Sequence, residues 1–130
     1  GNIVITCGGG GIPVVKSNKG LVGVDAVIDK DFAACRLATS INADVLLILT
    51  AVPKVCIGYN TEHVKQLDKV TVDKMKKYAE AGEFAKGSML PKVESCIQFI
   101  EDNPQGVAII SELCEGLSAL NGKSGTRIIK

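Results

Sequence analysis

Four consecutive glycines, Gly8–Gly11, follow directly on the apolar run Ile3–Cys7. Because glycine has no side chain, such a segment adopts positive φ angles and brings backbone N–H groups close to a ligand. A strand that ends in such a loop is typical of open α/β sheets, which bind ligands at the carboxyl ends of their strands. We therefore predict an anion site here, most simply for phosphate. A flexible turn between two elements is the alternative.

The two standard phosphate-binding motifs do not fit this glycine run. Pro13 stands where a dinucleotide fingerprint beginning at Gly8 needs its third glycine. The tripeptide Gly122–Ser124 reads Gly-Lys-Ser, but Leu117 occupies the position of the upstream glycine that a P-loop requires. The class of phosphate compound must therefore come from other parts of the chain.

Composition limits the fold and the partners. The 130 residues are 46% hydrophobic but only 4% aromatic, which favours an aliphatic core of the kind found in parallel sheets covered by helices. One domain spanning residues 1–130 is expected. Fifteen basic residues nearly balance 14 acidic ones, so we expect no nucleic-acid or membrane partner. No apolar run approaches the length of a membrane span, and a cytoplasmic protein is expected.

The cysteines and the histidine suggest neither a disulfide framework nor a metal centre. The five cysteines are widely spaced and none forms a Cys-x-x-Cys pair, which is typical of a reducing cytosol. His63, the one histidine, has no nearby residues that suggest a catalytic or metal-binding group. We therefore predict no metal ligands among the side chains.

Apolar runs and helical periodicity alternate along the chain. They predict strands at 3–7, 24–28, 45–49, 107–110 and 127–129, and helices at 31–41, 72–81 and 91–101. Thr71 is the expected N-cap of the second helix, and Ser111 that of a short helix ending near Leu120. Strands that alternate with helices indicate an α/β fold with a mostly parallel sheet, layered as a three-layer α/β/α sandwich.

Two charged segments and one loop are candidates for chemistry. Asp29–Asp31 lies between a predicted strand and a helix, so Asp31 either caps the helix or orients nearby lysines around phosphoryl oxygens. Lys92 lies at a predicted helix N-terminus, where the helix dipole disfavours a cation unless an anion binds between them. A solvated surface lysine is the alternative. The loop Thr50–Val55 either lines a nucleotide pocket or merely connects two elements.

Together these segments resemble the carbamate kinases of the amino-acid-kinase superfamily. The resemblance is carried by Gly8–Val14, Val27–Asp31, Thr50–Val55, Phe84–Glu94 and Ser124–Ile128, and it extends over essentially the whole chain. Members of this family are considerably longer, so the resemblance implies that the chain corresponds to their C-terminal, nucleotide-binding half. The other half, which carries much of the acceptor site, would then be a partner, and without it a sheet edge and apolar surface would be uncovered.

The resemblance also implies roles for individual residues. Lys30 and Lys92 would neutralise charge on the transferred phosphoryl group, and Asp31 would hold them in position. The glycines Gly8, Gly9, Gly10 and Gly11 would lie near the phosphoryl acceptor. The implied nucleotide pocket consists of Thr50, Ala51, Val52, Lys54, Tyr59, Met89 and Pro91. Such a site agrees with phosphoryl transfer, which depends on positioning and charge stabilisation rather than on a protein nucleophile.

The implied activity is the transfer of phosphate between ATP and carbamate, giving ADP and carbamoyl phosphate, with Mg²⁺ as the metal. In cells the family often forms ATP during arginine catabolism, and its members form homodimers. A non-catalytic nucleotide-binding module without the acceptor site is the alternative from another functional class. Other kinases that form acyl phosphates are the alternative within the superfamily.

Overall fold

A computed structural model describes residues 1–59 and 61–130. The strands are β1 (Val14–Ser17), β2 (Gly20–Gly23), β3 (Val45–Thr50), β4 (Cys56–Ile57), β5 (Lys65–Gln66), β6 (Lys69–Thr71), β7 (Val107–Glu112) and β8 (Thr126–Ile129). The helices are α1 (Lys30–Ser40), α2 (Val72–Glu80), α3 (Met89–Asp102) and α4 (Gly116–Leu120), with a 3₁₀ turn at Leu113–Glu115 before α4.

The central sheet has the strand order β3-β7-β8-β6. The β3–β7 and β6–β8 pairs are parallel, whereas β7 and β8 are antiparallel. Two hairpins, β1–β2 and β4–β5, lie outside this sheet. The predicted α/β class with a mostly parallel sheet is confirmed, and the one antiparallel pair makes the sheet mixed.

Helices cover the two faces of the sheet unequally. Alternate residues of β3 point to opposite faces, and Leu46 and Ile48 enter the main core together with residues of α1, α2 and α3. Gly116 of α4 lies beside Leu47 and Leu49 on the other face. The fold therefore has three layers: a thick layer of α1, α2 and α3 on one face, the sheet in the middle, and the short α4 on the other face. The largest fully buried side chain, that of Phe99 in α3, lies in the thick layer.

The first two predicted strands are wrong. Residues 3–7 and 24–28 form no strand, and the side chains of Ile3 and Ile5 are each 98% exposed. A strand needs a neighbour that receives its backbone hydrogen bonds along its length. Among the described residues, the Val24 N–H donates to the Pro13 carbonyl at 3.1 Å, but neither segment forms a ladder with another strand. The β1–β2 hairpin between them was not predicted, because the segment 14–23 shows no clear alternation of apolar and polar residues.

The other predicted elements agree with the structure to within two or three residues, except near Ser111. We expected Ser111 to cap a helix, but β7 continues through it to Glu112, and α4 begins only at Gly116. The buried Ser111 hydroxyl has no hydrogen-bond partner among the described residues. Serine is a common N-cap, but here the pairing of β7 with β3 extends the strand past it.

Candidate active site

The N-terminus of α1 leaves the carboxylate of Asp31 free for other contacts. Asp29 is the N-cap, and its Oδ1 accepts hydrogen bonds from the backbone N–H groups of Asp31 at 2.8 Å and Phe32 at 3.3 Å. The alternative that Asp31 is the cap is therefore wrong. Asp31 lies in the first helical turn with only 6% of its surface exposed, and its side chain points toward lysines.

Asp31 holds two lysines from distant parts of the chain. Lys92 Nζ lies 3.0 Å from Asp31 Oδ2, and Lys30 Nζ lies 3.2 Å from both carboxylate oxygens. Lys92 is largely buried, whereas more than half of the Lys30 side chain is exposed. The hydrogen bond with Asp31 is the main cause that raises the pKa of Lys30 above its ordinary value. The cluster therefore presents two cations organised by one carboxylate.

Lys92 lies one turn into α3 and also donates to the backbone carbonyl of Ser88 at 3.3 Å. The interpretation of Lys92 as a solvated surface lysine does not hold, since its ammonium is tied to two acceptors. Both contacts fix the ammonium near the helix N-terminus, where the positive end of the helix dipole also favours an anion. This end of α3 can therefore stabilise negative charge in two ways.

The glycine run lies against the segment that enters α1. Gly10 has a φ of +120°, and a Cβ at this position would lie 2.6 Å from the carbonyl oxygen of Ile28. Only glycine fits such a close approach without a shift of the backbone. A Cβ at Gly11 would lie 3.6 Å from Cδ1 of Ile28, and Gly8, Gly9 and Gly11 are exposed. The loop thus lies beside the residues that lead directly to Asp29 and the lysine cluster.

A pocket of about 380 Å³ opens next to this cluster. It is lined by Val52, Lys54, Cys56, Tyr59, Gly82, Glu83, Phe84, Ala85, Ser88 and Met89. Ser88 belongs both to this lining and to the contacts of Lys92. The pocket is mostly apolar with a few polar groups, as is usual for sites that bind an aromatic base.

Four of the seven residues that the resemblance assigns to the nucleotide line this pocket: Val52, Lys54, Tyr59 and Met89. Thr50, Ala51 and Pro91 do not line it. Cys56 and the segment 82–85 were not predicted to line the pocket. The turn after α2 brings that segment there. The short Glu83–Ala85 stretch lies just before α3, but nothing in its composition marks it as a pocket wall.

The loop after β3 is anchored by a buried hydroxyl. Thr126 Oγ1 accepts from the backbone N–H of Val55 at 2.9 Å and donates to the carbonyl of Leu67. The Leu67 N–H donates in turn to the Val55 carbonyl at 2.9 Å. Lys54, the residue before Val55, forms an ion pair with Asp68. These contacts of Thr126, Val55 and Leu67 fix the 50–55 loop, which forms one wall of the pocket.

Comparison with known proteins identifies the class to which this fold and site belong. The amino acid kinase family matches residues 1–111. The chain therefore belongs to the amino acid kinase family.

The similar proteins within that family are carbamate kinases. The carbamate kinase of Clostridium perfringens is 54% identical over 130 residues, which are 100% of this chain and 41% of the relative. Carbamate kinase 3 of Staphylococcus aureus is 53% identical over 128 residues, 98% of this chain and 41% of the relative. These matches confirm the resemblance seen in the sequence. The chain spans about two fifths of the length of these relatives.

A solved structure gives the same result for the fold. The carbamate kinase from Giardia lamblia bound to AMP-PNP superimposes with a TM-score of 0.89 at 45% identity. The match covers 94% of this chain and 42% of the Giardia chain.

Residues 1–59 and 61–130, which the structure describes, lack both a membrane-spanning helix and a metal-binding cluster. They contain no helix long and apolar enough to cross a membrane. Nor do they contain a group of three or more His, Cys, Asp and Glu side chains suited to a metal ion.

Proposed function

We propose that this chain is the nucleotide-binding part of a carbamate kinase, acting on carbamoyl phosphate and ADP or, in reverse, on carbamate and ATP. The observation that carries the proposal is the buried Asp31 carboxylate, which organises Lys92 and Lys30 beside the pocket. Support comes from the carbamate kinase relatives and from the Giardia enzyme, whose structure contains AMP-PNP.

The proposed reaction exchanges one bond to phosphorus for another. A terminal oxygen of ADP forms a bond to the phosphorus of carbamoyl phosphate, and the bond from that phosphorus to the carbamoyl oxygen breaks. Carbamate leaves with the bonding electron pair. Negative charge is spread over the phosphoryl oxygens in the transition state, and fixed cations stabilise it. Lys92 and Lys30 supply these cations, while Asp31 prevents them from moving apart.

Other predicted residues have positioning roles in this proposal. Val52, Tyr59 and Met89 would contact the base and ribose, and Lys54 would contact the phosphates. The Gly8–Gly11 loop would approach the phosphoryl acceptor with its backbone N–H groups. The close approach of Gly10 to Ile28 supports this role, because it brings the glycine loop to the segment that leads into α1.

Mg²⁺ fits this site only when it is bound to the phosphates of the nucleotide. Both oxygens of Asp31 receive lysine hydrogen bonds, and one oxygen of Asp29 caps α1. Mg²⁺ commonly keeps several waters and binds largely through substrate phosphates. When bound, it would neutralise phosphate charge. We propose that this chain contributes few direct ligands to it.

Apolar residues in the first 30 positions support a partner surface. Ile3, Ile5 and Val27 are almost fully exposed. We propose that further carbamate kinase polypeptide covers them, either the part present in the longer relatives or a second copy in a homodimer. Sedimentation of the chain alone and with that polypeptide would test this. A strictly monomeric chain that binds neither would contradict it. We also propose that the protein is located in the cytoplasm.

The test of the catalytic assignment is the substitution Lys92→Ala. Loss of a fixed cation at the phosphoryl group should lower the rate of ATP formation from carbamoyl phosphate and Mg·ADP by about 10²-fold or more. Lys86→Ala is the matched control, because Lys86 lies exposed in the segment just before α3. Circular dichroism would show that both variants remain folded. An unchanged rate in the Lys92→Ala variant would remove Lys92 from the mechanism.

A non-catalytic nucleotide-binding module is the second candidate. It is favoured by one observation: none of the first 30 residues is buried, so the glycine loop has no core beneath it. This alternative predicts binding of Mg·ADP without any ATP formation from carbamoyl phosphate. Calorimetry and a coupled ATP assay on the same sample would separate the two candidates.

A further inference from the structure

The carboxylate of Glu83 connects two walls of the pocket. Glu83 lies between α2 and α3, and its Oε2 accepts a hydrogen bond of 2.7 Å from the backbone N–H of Gly58, which follows β4. Both residues are half-buried. Glu83 itself lines the pocket, and so does Tyr59, the residue after Gly58. A single charged hydrogen bond therefore joins the segment after α2 to the strand on the opposite side.

The backbone of Glu83 is fixed on both sides, so its side chain extends from a rigid base. The Glu83 N–H donates to the Tyr78 carbonyl at 3.1 Å, and the Gly82 N–H donates to Ala79 at 3.0 Å, with Gly82 at a φ of +76°. These two bonds form the Schellman motif that ends α2. The next residue, Phe84, is buried in the core. The carboxylate is thus aimed by the fold rather than by a flexible loop.

The partner strand β4 is anchored at its base, where Val55 and Leu67 bond to each other and to Thr126, but it is held less firmly beyond that point. The β4–β5 hairpin has only two residue pairs, and it lies outside the central sheet. A two-stranded hairpin of this size has little stability by itself. The bond from Gly58 to Glu83 ties it to the end of α2. A hydrogen bond to a charged group is stronger than one between neutral groups, so it is a suitable tie.

We propose that Glu83 is a positioning residue for the nucleotide: its carboxylate holds Gly58, and with it β4 and Tyr59, in the arrangement that forms the pocket wall. This inference rests on the proposed function, since it concerns the same site. Without the carboxylate, the hairpin must be ordered when the ligand binds, and that ordering lowers affinity. The lysine cluster around Asp31 does not contact Glu83, so the chemical step should be unaffected.

The experiment compares Glu83→Ala with Glu83→Gln, using Mg·ADP as the probe in calorimetry. The Ala variant should raise the Kd by about ten-fold, as expected for loss of a charged hydrogen bond in a half-exposed position. The Gln variant retains an acceptor oxygen and should return the Kd to within a few-fold of the original. Glu80→Ala, an exposed carboxylate on the last turn of α2, is the matched control and should leave the Kd unchanged.

A second readout does not depend on the nucleotide. Amide hydrogen exchange at Gly58 should become faster in Glu83→Ala and stay slow in Glu83→Gln, while exchange in β7 remains the same in both. If the unmodified chain binds Mg·ADP and the Ala variant binds it equally well, the positioning role is wrong and the proposed function stands. If the unmodified chain does not bind Mg·ADP, the proposed function fails as well, whatever the exchange rates are.

Discussion

The first 30 residues and the remaining 100 differ sharply in how they use their apolar side chains. Residues 1–30 contain many Val, Ile and Leu side chains, yet none is buried, whereas residues 31–130 bury many of theirs around Phe99 and Met75. Burial requires an opposing layer of structure. In the second region α1, α2 and α3 provide that layer. The first region has only the β1–β2 hairpin, which packs extensively against none of the core helices.

The proposed site contains residues of both regions. Because the regions differ in packing, we expect one to bind the nucleotide and the other to contribute to the acceptor side. Asp31, Lys92 and the pocket rest on the packed region, where distances are fixed by α1, α3 and the 50–55 loop. Lys30, the last residue of the exposed region, joins them as the first residue of α1. The glycine loop belongs to the exposed region and meets the other groups through Ile28. Nucleotide binding should therefore be the more robust function of the chain, and the acceptor side the more dependent on a partner.

The largest expected effect comes from removing a core side chain. Phe99→Ala should lower the free energy of unfolding by about 4 kcal/mol, because it opens a cavity among completely buried neighbours. Ile5→Ala is the matched change in the exposed region and should alter it by less than about 0.5 kcal/mol. Urea denaturation measures both. Equal losses would show that the two regions share one core.

The buried hydroxyl of Thr126 gives a smaller but sharper comparison. Thr126→Val leaves the Val55 N–H and the Leu67 carbonyl buried without this partner, which should cost about 2 kcal/mol. Thr126→Ser keeps the hydroxyl and should recover most of that loss. In the exposed hairpin, Ser17 Oγ donates to the Gly20 carbonyl at 3.0 Å, and Ser17→Ala should have almost no effect. A larger loss from Ser17→Ala than from Thr126→Val would contradict the comparison.

The smallest expected effect is the change in the free energy of unfolding with pH. The pKa of Lys30 is raised above its ordinary value of 10.5, so protonated Lys30 stabilises the folded state. This contribution is present below pH 10.5 and is lost as the pH rises through the folded-state pKa. Because Lys30 is largely exposed, the loss should be slight. Unfolding curves of the natural chain and of Lys30→Met, measured on both sides of that pH, should converge at the alkaline end.

The packed region was well predicted from the sequence because its signals are local. Helical periodicity located α1, α2 and α3, and uninterrupted apolar runs located β3, β7 and β8. The same signals misplaced strands at 3–7 and 24–28, since an apolar run shows that a segment can be buried but not that a neighbour exists. Ser111 was misplaced for a related reason: pairing with β3 outweighed its preference for a cap.

In the candidate site too, residues in local motifs were predicted, whereas residues that act through long-range contacts were not. Lys30, Asp31 and Lys92 were found because short motifs flank helix N-termini, and the structure brings them together. Glu83 was not found, because its importance comes from a contact with Gly58 that is 25 residues distant in sequence. Thr126 was missed for the same reason, since its partners lie 59 and 71 residues away. Long-range hydrogen bonds leave no periodic signal.

The most direct test is amide hydrogen exchange along the whole chain, measured with and without Mg·ADP. We expect strong protection in α3, β3 and β7, little protection in residues 1–28, and slower exchange at 52–59 and 82–89 when the nucleotide is added. Protection of residues 1–28 equal to that of the core, or no response of the pocket segments to Mg·ADP, would contradict the claim that the packed region alone carries the nucleotide site.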